Sequence, residues 1–306
     1  MSLVTVAPRG SSGTARSDRL LAYAFVLPSA VLLLGMAVYP FVQAAFDSLF
    51  HLDLVARSGP FVGLRNYVVL VQSPEVRAAL ARTVIWTLVN VAVQTTLGMA
   101  IALLLNARLR GQTLARGLVL FPYMVPAIVA ALIFRFMFND TVGVVNYLLL
   151  SAHLVREPIT WLSGTDTALP AAIAVNCWKY TPFMVIVFLA RLQTVSPELY
   201  DAARIDGASV LGTFRYITFP WMLPVILIAM LLRTIWTVND FDLLYLLAFG
   251  GPLGATTTVP VEIRALAFDD QDVGLASALA ICGAIGLCLA AWLYLRAYRR
   301  SESQLQ

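Results

Sequence analysis

Six long apolar blocks constrain the fold of this 306-residue chain more than any other feature of its sequence. A helix must present about 20 largely apolar residues to cross the hydrocarbon core of a bilayer. Blocks of that length lie at roughly 20–46, 83–106, 117–138, 168–191, 218–239 and 273–296. Because 60% of the residues are hydrophobic and only 12% are charged, a soluble globular domain is excluded. The sequence therefore predicts an all-α polytopic membrane protein with six transmembrane helices.

The distribution of arginine predicts which side of the membrane each connection faces. The first block follows a basic start, and its apolar core runs unbroken from Leu20 to Tyr39, which is too long for a cleaved signal peptide. With the N-terminus inside, twelve of the 21 basic residues fall on the cytoplasmic side and six on the outer side. Both termini are therefore predicted to be cytoplasmic. The net charge of +4 is a signal of topology and gives no indication of nucleic-acid binding.

One membrane domain accounts for nearly all of the chain. We predict a disordered cytoplasmic N-terminus at 1–19, a six-span domain at 20–298 and a cytoplasmic tail at 299–306. The long outer connections are 47–82, 139–167 and 240–272. The last of them is acidic, which fits either a solvated face or a docking surface for an external partner.

The chain carries no recognisable catalytic or metal-binding pattern. We expect its cysteines to be buried apolar thiols within spans and its histidines to be solvated loop residues, so no metal site is predicted. These residues are Cys177, Cys282, Cys288, His51 and His153. Lys179 is the only lysine and lies within a span, which excludes the Gly-Lys-Ser/Thr loop that binds nucleotide phosphates. We therefore predict no catalytic residue and no cofactor bound to this chain.

The stretch "ELYDAARIDGAS" at 198–209 is unusually charged for so apolar a chain. Ser196 followed by Pro197 predicts the start of a helix, with Ser196 as the N-cap. Gly207 predicts its end, because glycine readily takes the left-handed conformation. Ser209 then predicts the cap of a second helix that leads back into the membrane. We expect a short helix, a glycine turn and a second helix, with a small and polar exposed surface.

The spacing within this stretch resembles a family motif. The integral-membrane permease subunits of binding-protein-dependent ABC importers share a cytoplasmic-loop pattern of E-A-A, three residues, G, nine residues, I, one residue and L-P. The corresponding residues here are Asp201, Ala202, Ala203, Gly207, Ile217, Phe219 and Pro220. Asp201 keeps the charge of the usual glutamate, and Phe219 keeps the apolar character of the usual leucine. Further stretches resemble the carbohydrate branch, which includes permeases for maltose, trehalose and glycerol phosphate: "FPYMVP" at 121–126, "WKYTPF" at 178–183, "GGP" at 250–252, "TTTV" at 256–259 and "GLASAL" at 274–279.

The resemblance implies the type I ABC importer permease fold, with a family core at about 79–296 and coupling helices at about 196–217. It assigns contact with a cytoplasmic ATPase to Glu198, Asp201, Ala202, Ala203, Asp206, Gly207 and Ala208. It implies a second permease subunit that is a different chain, two copies of an ATPase that binds ATP and Mg, and an extracytoplasmic solute-binding protein. The location implied is a bacterial or archaeal cell membrane, in contact with lipid.

The resemblance therefore implies a non-enzymatic subunit for the import of a sugar, and a di- or oligosaccharide is the expected substrate. A permease for glycerol-phosphate-type or other polar solutes is the nearest alternative. A stand-alone secondary transporter or a membrane-embedded enzyme is a more distant one. The spans contain almost no acidic residues, and the coupling motif argues against ion-driven transport.

Charged residues within spans are costly, so each is a candidate for the transport pathway. Two clusters combine charge, amide and aromatic groups: Asn176, Trp178, Lys179 and Tyr180 in the fourth block, and Arg233, Trp236 and Asn239 in the fifth. Aromatic faces and planar polar groups suit a carbohydrate path. The same groups equally suit hydrogen bonding between helices, including those of a partner permease.

Overall fold

The computed structural model describes residues 12–56, 58–107 and 111–302 of the chain. Within these ranges the chain forms fourteen α-helices and three short π-helical turns, and no β-strand is present beyond two isolated bridges. The helices are α1 (Ser12–Leu33), α2 (Tyr39–Asp47), α3 (Arg65–Gln72), α4 (Pro74–Asn106), α5 (Gln112–Met124), α6 (Ala127–Met137), α7 (Val144–Ser151), α8 (Ala168–Leu192), α9 (Pro197–Ile205), α10 (Val210–Thr213), α11 (Phe219–Val238), α12 (Asp242–Ala248), α13 (Val259–Arg264) and α14 (Val273–Glu302). The π-helical turns are Leu34–Val38, Phe214–Thr218 and Ala265–Asp269. The predicted all-α class is confirmed.

Within the described residues, five helical stretches are long and apolar enough to cross a membrane. They are Leu21–Asp47, Pro74–Asn106, Ala168–Leu192, Val210–Val238 and Val273–Arg296. The predicted third span differs, since α5 and α6 meet at an angle of 94° and count as one span only if the bent pair is taken together. The apolar block at 117–138 thus forms two helices, and the predicted count of six spans is met when this bent pair is taken as one. Pro126 has no N–H to continue the helix and holds Val125 in an extended conformation (ψ 127°), which breaks the span there.

Several predicted boundaries also shift. The second span begins at Pro74, well before residue 83, because the Ser73 hydroxyl accepts a hydrogen bond from the Val76 amide (3.1 Å) and caps the helix. The first helix already begins at Ser12, so residues 12–19 are helical where we expected disorder; adding residues to an existing helix needs no new nucleation. Residues 1–11 lie outside the described residues. At the other end α14 continues to Glu302, into the predicted tail.

The centre of the bundle is the packing of α4 along α8, with α11 against both. Gly98 of α4 allows this close approach, because a Cβ there would lie 2.4 Å from Cβ of Met184 in α8. Around this crossing a core forms from Ala102, Leu105, Met184, Val185, Phe188, Leu192, Met222, Ile226 and Ala229. A second core, which includes Trp86, Val175 and Leu243, joins these spans to α6 and α12.

The periphery is much less buried. No side chain between Leu21 and Asp47 is buried, and only α2 packs against the last span, α14. Cys177 is buried as predicted, but Cys282 and Cys288 are exposed on α14. Those two thiols face outward because their side of α14 has no neighbouring helix within the described part of the chain. The outer surface of the bundle is thus left for lipid or for another subunit.

Candidate functional site

A polar cavity of about 530 Å³ lies where α5, α8 and α11 meet the start of α12. Its lining residues are Tyr123, Tyr180, Arg233, Trp236, Asn239, Asp240, Phe241 and Asp242. The structure therefore brings together four of the seven residues that we predicted for the transport pathway. Three of its four aromatic side chains, Tyr123, Tyr180 and Trp236, come from membrane-spanning helices. The cavity combines flat apolar faces with hydrogen-bonding groups at the end of a span.

The other three predicted pathway residues do not line the cavity. Lys179 is buried and its Nζ donates to the carbonyl of Val125, at the break between α5 and α6. Trp178 points to another face of α8 and packs edge-on against Phe134, with ring centroids 5.0 Å apart. Asn176 is completely buried beneath the cavity. Lys179 thus satisfies a backbone carbonyl that the broken third span leaves free, which gives this ammonium a structural contact.

Arg233 is the centre of a buried hydrogen-bond network that joins three spans. Its Nε donates to Gln94 Oε1 (2.8 Å) in α4, and its Nη2 donates to Thr237 Oγ1 (3.1 Å) and more weakly to Asn176 Oδ1 (3.4 Å) in α8. Gln94 Nε2 also donates to Asn176 Oδ1 (2.8 Å). The guanidinium carbon lies 4.5 Å from the centroid of the Tyr180 ring. The network satisfies a charge that would be costly if unpaired at this depth.

Asp240 extends the network to the cavity. Its Oδ2 accepts a hydrogen bond from Asn176 Nδ2 (2.6 Å), just after α11 ends. Burial raises the pKa of the Asp240 carboxyl to about 6, and the nearby charge of Arg233 opposes that rise. The carboxyl group is therefore placed to offer the buried guanidinium a counter-charge from the cavity side.

Sequence reasoning missed Gln94, Asp240 and Tyr123. A signal for Gln94 was available, because polar residues recur at helical spacing along one face of α4: Thr83, Thr87, Asn90 and Gln94. All four are buried, and this face packs against α8 and α11. Asp240 was expected in the acidic outer loop at 240–272, as part of either a solvated face or a docking surface. Only the tertiary fold turns it back towards Asn176.

The predicted helix–turn–helix at 196–217 has the expected backbone. Gly207 follows α9 with a φ of +73°. The Ala208 amide donates to the Ala203 carbonyl (2.9 Å) and the Gly207 amide to the Arg204 carbonyl (3.1 Å), the pair of bonds that ends a helix at a left-handed glycine. The Ser209 hydroxyl accepts from the Gly212 amide (3.1 Å) and caps α10 as predicted.

One expectation about this loop was confirmed in position only, and another was wrong. Ser196 occupies the N-cap position of α9, but its hydroxyl donates to Glu198 Oε2 (2.9 Å) and does not cap the backbone. The exposed surface of the loop was expected to be small and polar, but it also carries large apolar side chains. Three large apolar side chains, Ile205, Val210 and Leu211, are 87%, 90% and 74% exposed. The inner side of the loop is formed by the buried Ala203 and by the hydrogen bond between Tyr200 Oη and Thr218 Oγ1 (3.2 Å).

The residues predicted to contact an ATPase therefore lie on one exposed surface, apart from Ala203, which is buried. The exposed members are Glu198, Asp201, Ala202, Asp206, Gly207 and Ala208. Together with Ile205, Val210 and Leu211 they form a mixed acidic and apolar surface, which we call the loop surface. Ile205 lies outside the candidate spans, and Val210 and Leu211 lie at the very start of the stretch Val210–Val238. A cluster of exposed apolar side chains beside acidic ones is typical of a contact with another protein.

A bundle of candidate membrane spans with a polar cavity at the end of one span and a structured, partly apolar loop identifies a multi-pass membrane protein. The chain belongs to the family described as binding-protein-dependent transport system inner membrane components, whose sequence profile matches residues 94–302. This confirms both the predicted family and the prediction of a multi-pass transport subunit that is not an enzyme.

Characterised relatives agree with this family. The chain is 38% identical over 265 residues to the trehalose/maltose transport system permease protein MalF of Thermococcus litoralis, covering 85% of this chain and 88% of the relative. It is 35% identical over 297 residues to the sulfoquinovosyl glycerol transport system permease protein SmoG of Agrobacterium fabrum, covering 96% of each chain.

A solved structure confirms the fold. A chain of a bacterial ABC transporter involved in the import of the acidic polysaccharide alginate superposes with a TM-score of 0.81, covering 94% of this chain and 98% of that chain. Because only 22% of the residues are identical, this likeness establishes the importer-permease architecture alone.

Proposed function

We propose that this chain is a permease subunit of an ABC importer for a sugar, most simply a di- or oligosaccharide. The observation that carries the proposal is the cavity, where Tyr123, Trp236 and Phe241 offer aromatic faces beside the carboxylates of Asp240 and Asp242. Aromatic rings stack on the C–H faces of sugars, and carboxylates accept hydrogen bonds from hydroxyl groups. The names of the relatives, which specify trehalose, maltose and sulfoquinovosyl glycerol, support a sugar-type solute.

The loop surface supports coupling to a cytoplasmic ATPase. Glu198, Asp201 and Asp206 offer negative charge to a basic partner, while Ile205 and Val210 offer apolar area. In this proposal two ATPase copies bind the ATP and Mg, and this chain transmits their closure to the spans through α9 and α10. The remaining partners are a second, different permease chain and an extracytoplasmic binding protein. The binding protein is supported by a second structure of the alginate transporter, which was solved in complex with an alginate pentasaccharide-bound periplasmic protein.

A transport assay tests the proposed function. The complex is purified through a tag on this chain, reconstituted into liposomes and offered a panel of labelled solutes together with the binding protein. We expect uptake of a di- or oligosaccharide that requires both internal ATP and the binding protein. Glycerol 3-phosphate belongs in the panel as the nearest alternative. Uptake that follows an ion gradient without ATP would show that the chain is a secondary transporter instead.

The proposed orientation makes a separate prediction. In a background with its three native cysteines replaced, Ser209→Cys lies in the cytoplasmic loop and Leu253→Cys in the outer loop, where Leu253 is 93% exposed. An impermeant maleimide should label Leu253→Cys in intact cells and Ser209→Cys only after permeabilisation. Both termini are then cytoplasmic, because an even number of crossings separates each from the loop at 209. The reverse labelling pattern would contradict both the orientation and the coupling role.

A further inference from the structure

The charges that line the cavity are predominantly negative. Asp240 and Asp242 both contribute carboxylates, and Arg233 is the only cationic side chain among the described lining residues. Asp242 is exposed, and Asp240 is half-buried, so both can be reached from the open space. With all three groups ionised, the wall carries one net negative charge.

The guanidinium of Arg233 is largely occupied by contacts within the protein. Its Nε and Nη2 donate to Gln94, Thr237 and Asn176, and one face of the group is covered by the Tyr180 ring. The residue as a whole is only 3% exposed. A bidentate contact of a phosphate or carboxylate through Nε or Nη2 would require the guanidinium to leave hydrogen bonds that tie three spans together. Arg233 is therefore a positioning residue for the cavity wall.

The aromatic lining, by contrast, is accessible. Tyr123 and Trp236 are 41% and 44% exposed, and Trp236 is held by an edge-on contact with Phe183 at 5.0 Å between ring centroids. Phe241 lies between the two carboxylates in sequence and completes the wall. A neutral saccharide can therefore stack on these rings and donate its hydroxyl hydrogens to Asp240 and Asp242 without meeting an opposing charge.

We propose that this cavity selects neutral saccharides and disfavours anionic ones, with Asp240 and Asp242 as the residues that determine this specificity. The inference rests on the proposed sugar-import function and narrows its substrate class. A phosphate, sulfonate or uronate group would face two carboxylates across a partly desolvated space, where like charges repel strongly. The only cation among the described lining residues is Arg233, which is 3% exposed and already donates from Nε and Nη2.

Quenching of Trp236 fluorescence by acrylamide tests the proposal on the purified complex without binding protein. The signal of Trp236 is taken as the difference between the wild type and Trp236→Phe. The probes are neutral saccharides (trehalose, maltose, maltotriose and cellobiose) and anionic ones (trehalose 6-phosphate, maltobionate and digalacturonate). We expect at least one neutral saccharide to protect Trp236 at concentrations about tenfold or more below those needed for any anionic one, a difference of about 1.4 kcal/mol.

Carboxylate variants identify the residues responsible. Asp240→Asn/Asp242→Asn should reduce the ratio of the protecting concentrations of trehalose 6-phosphate and trehalose about fivefold or more. Asp269→Asn, outside the cavity, should leave this ratio unchanged. If the double variant does not fold, the exposed Asp242→Asn alone should still reduce the ratio. The proposal would be overturned if an anionic saccharide protected Trp236 as well as or better than the neutral ones, or if no neutral saccharide protected it. It would also be overturned if the carboxylate variants kept the wild-type ratio of protecting concentrations. Sugar uptake in the transport assay alongside such a result would leave the importer function standing and remove only the charge selectivity.

Discussion

Arg233→Met is expected to destabilise the protein more than any other single substitution that we consider. The change removes a buried guanidinium from Gln94, Thr237 and Asn176 and leaves the Asp240 carboxylate without its compensating charge. Breaking a buried charge network by removing one partner costs about 3–5 kcal/mol. We therefore expect a clearly lower melting temperature and a lower yield of monodisperse protein in fluorescence-detected size exclusion.

The matched control for this substitution is Arg204→Met. Arg204 pairs with Asp201 at 3.3 Å on the exposed loop, where both side chains are largely in solvent. Such a surface pair contributes little, so the control should melt close to the wild type. Arg233→Met/Asp240→Asn should recover part of the lost stability, because it removes the uncompensated carboxylate. If Arg233→Met has the same melting temperature as Arg204→Met, the network does not hold the three spans together.

The sequence predicted the spans well, because hydrocarbon thickness imposes a length and a composition that can be read residue by residue. It did not predict the break at Val125 and Pro126. The apolar run continues through that point, and a proline in a span is compatible with a kinked helix as well as with a 94° bend. Whether a kink or a sharp bend results depends on whether another group forms a hydrogen bond with the backbone carbonyl that the break leaves free. Here the Lys179 ammonium does so from a different span.

The composition of the cavity was only partly predictable for a similar reason. Charged and aromatic residues within apolar blocks drew attention to Tyr180, Arg233 and Trp236, and all three line the cavity. Lys179 and Trp178 carried the same signal but point elsewhere, because adjacent residues in a helix are rotated by about 100° from each other. The rotation of α8 about its own axis is set by its packing against α4, and the Gly98–Met184 contact that fixes it joins residues far apart in sequence.

The loop at 196–217 was predicted most accurately in its backbone, where the signals are local. Gly207 and Ser209 act within a few residues of themselves, so their roles follow from the chain alone. The large exposed side chains were not predicted, because exposure depends on what the rest of the protein leaves uncovered. Ile205 lies one turn from Asp201, on a helix of only nine residues that the bundle covers on one side.

Gly207→Val is expected to abolish coupling while leaving the six apolar blocks membrane-inserted. Gly207 has a φ of +73°, and a Cβ at this position would meet no atom within 4 Å, so any effect of substitution arises from the backbone alone. A left-handed conformation costs an L-residue about 1–2 kcal/mol, and a β-branched side chain increases this cost. Valine should therefore relax to a negative φ, break the Ala208–Ala203 hydrogen bond and redirect α10 relative to α9. We expect stimulation of ATP hydrolysis by binding protein to fall about tenfold or more, since roughly 1.4 kcal/mol of lost coupling is a factor of ten.

Gly207→Asn is the matched control for this change, because asparagine tolerates the left-handed region far better than valine. It adds a side chain of similar size at the same place and should retain most of the stimulation. The measurements are co-purification of the ATPase with the tagged chain and ATP hydrolysis with and without binding protein, at equal amounts of membrane-inserted protein. A steric contact of residue 207 with the ATPase would impair both variants alike, whereas a conformational role impairs valine and spares asparagine. Wild-type stimulation in Gly207→Val would mean that α9 and α10 do not transmit the closure of the ATPase through this turn.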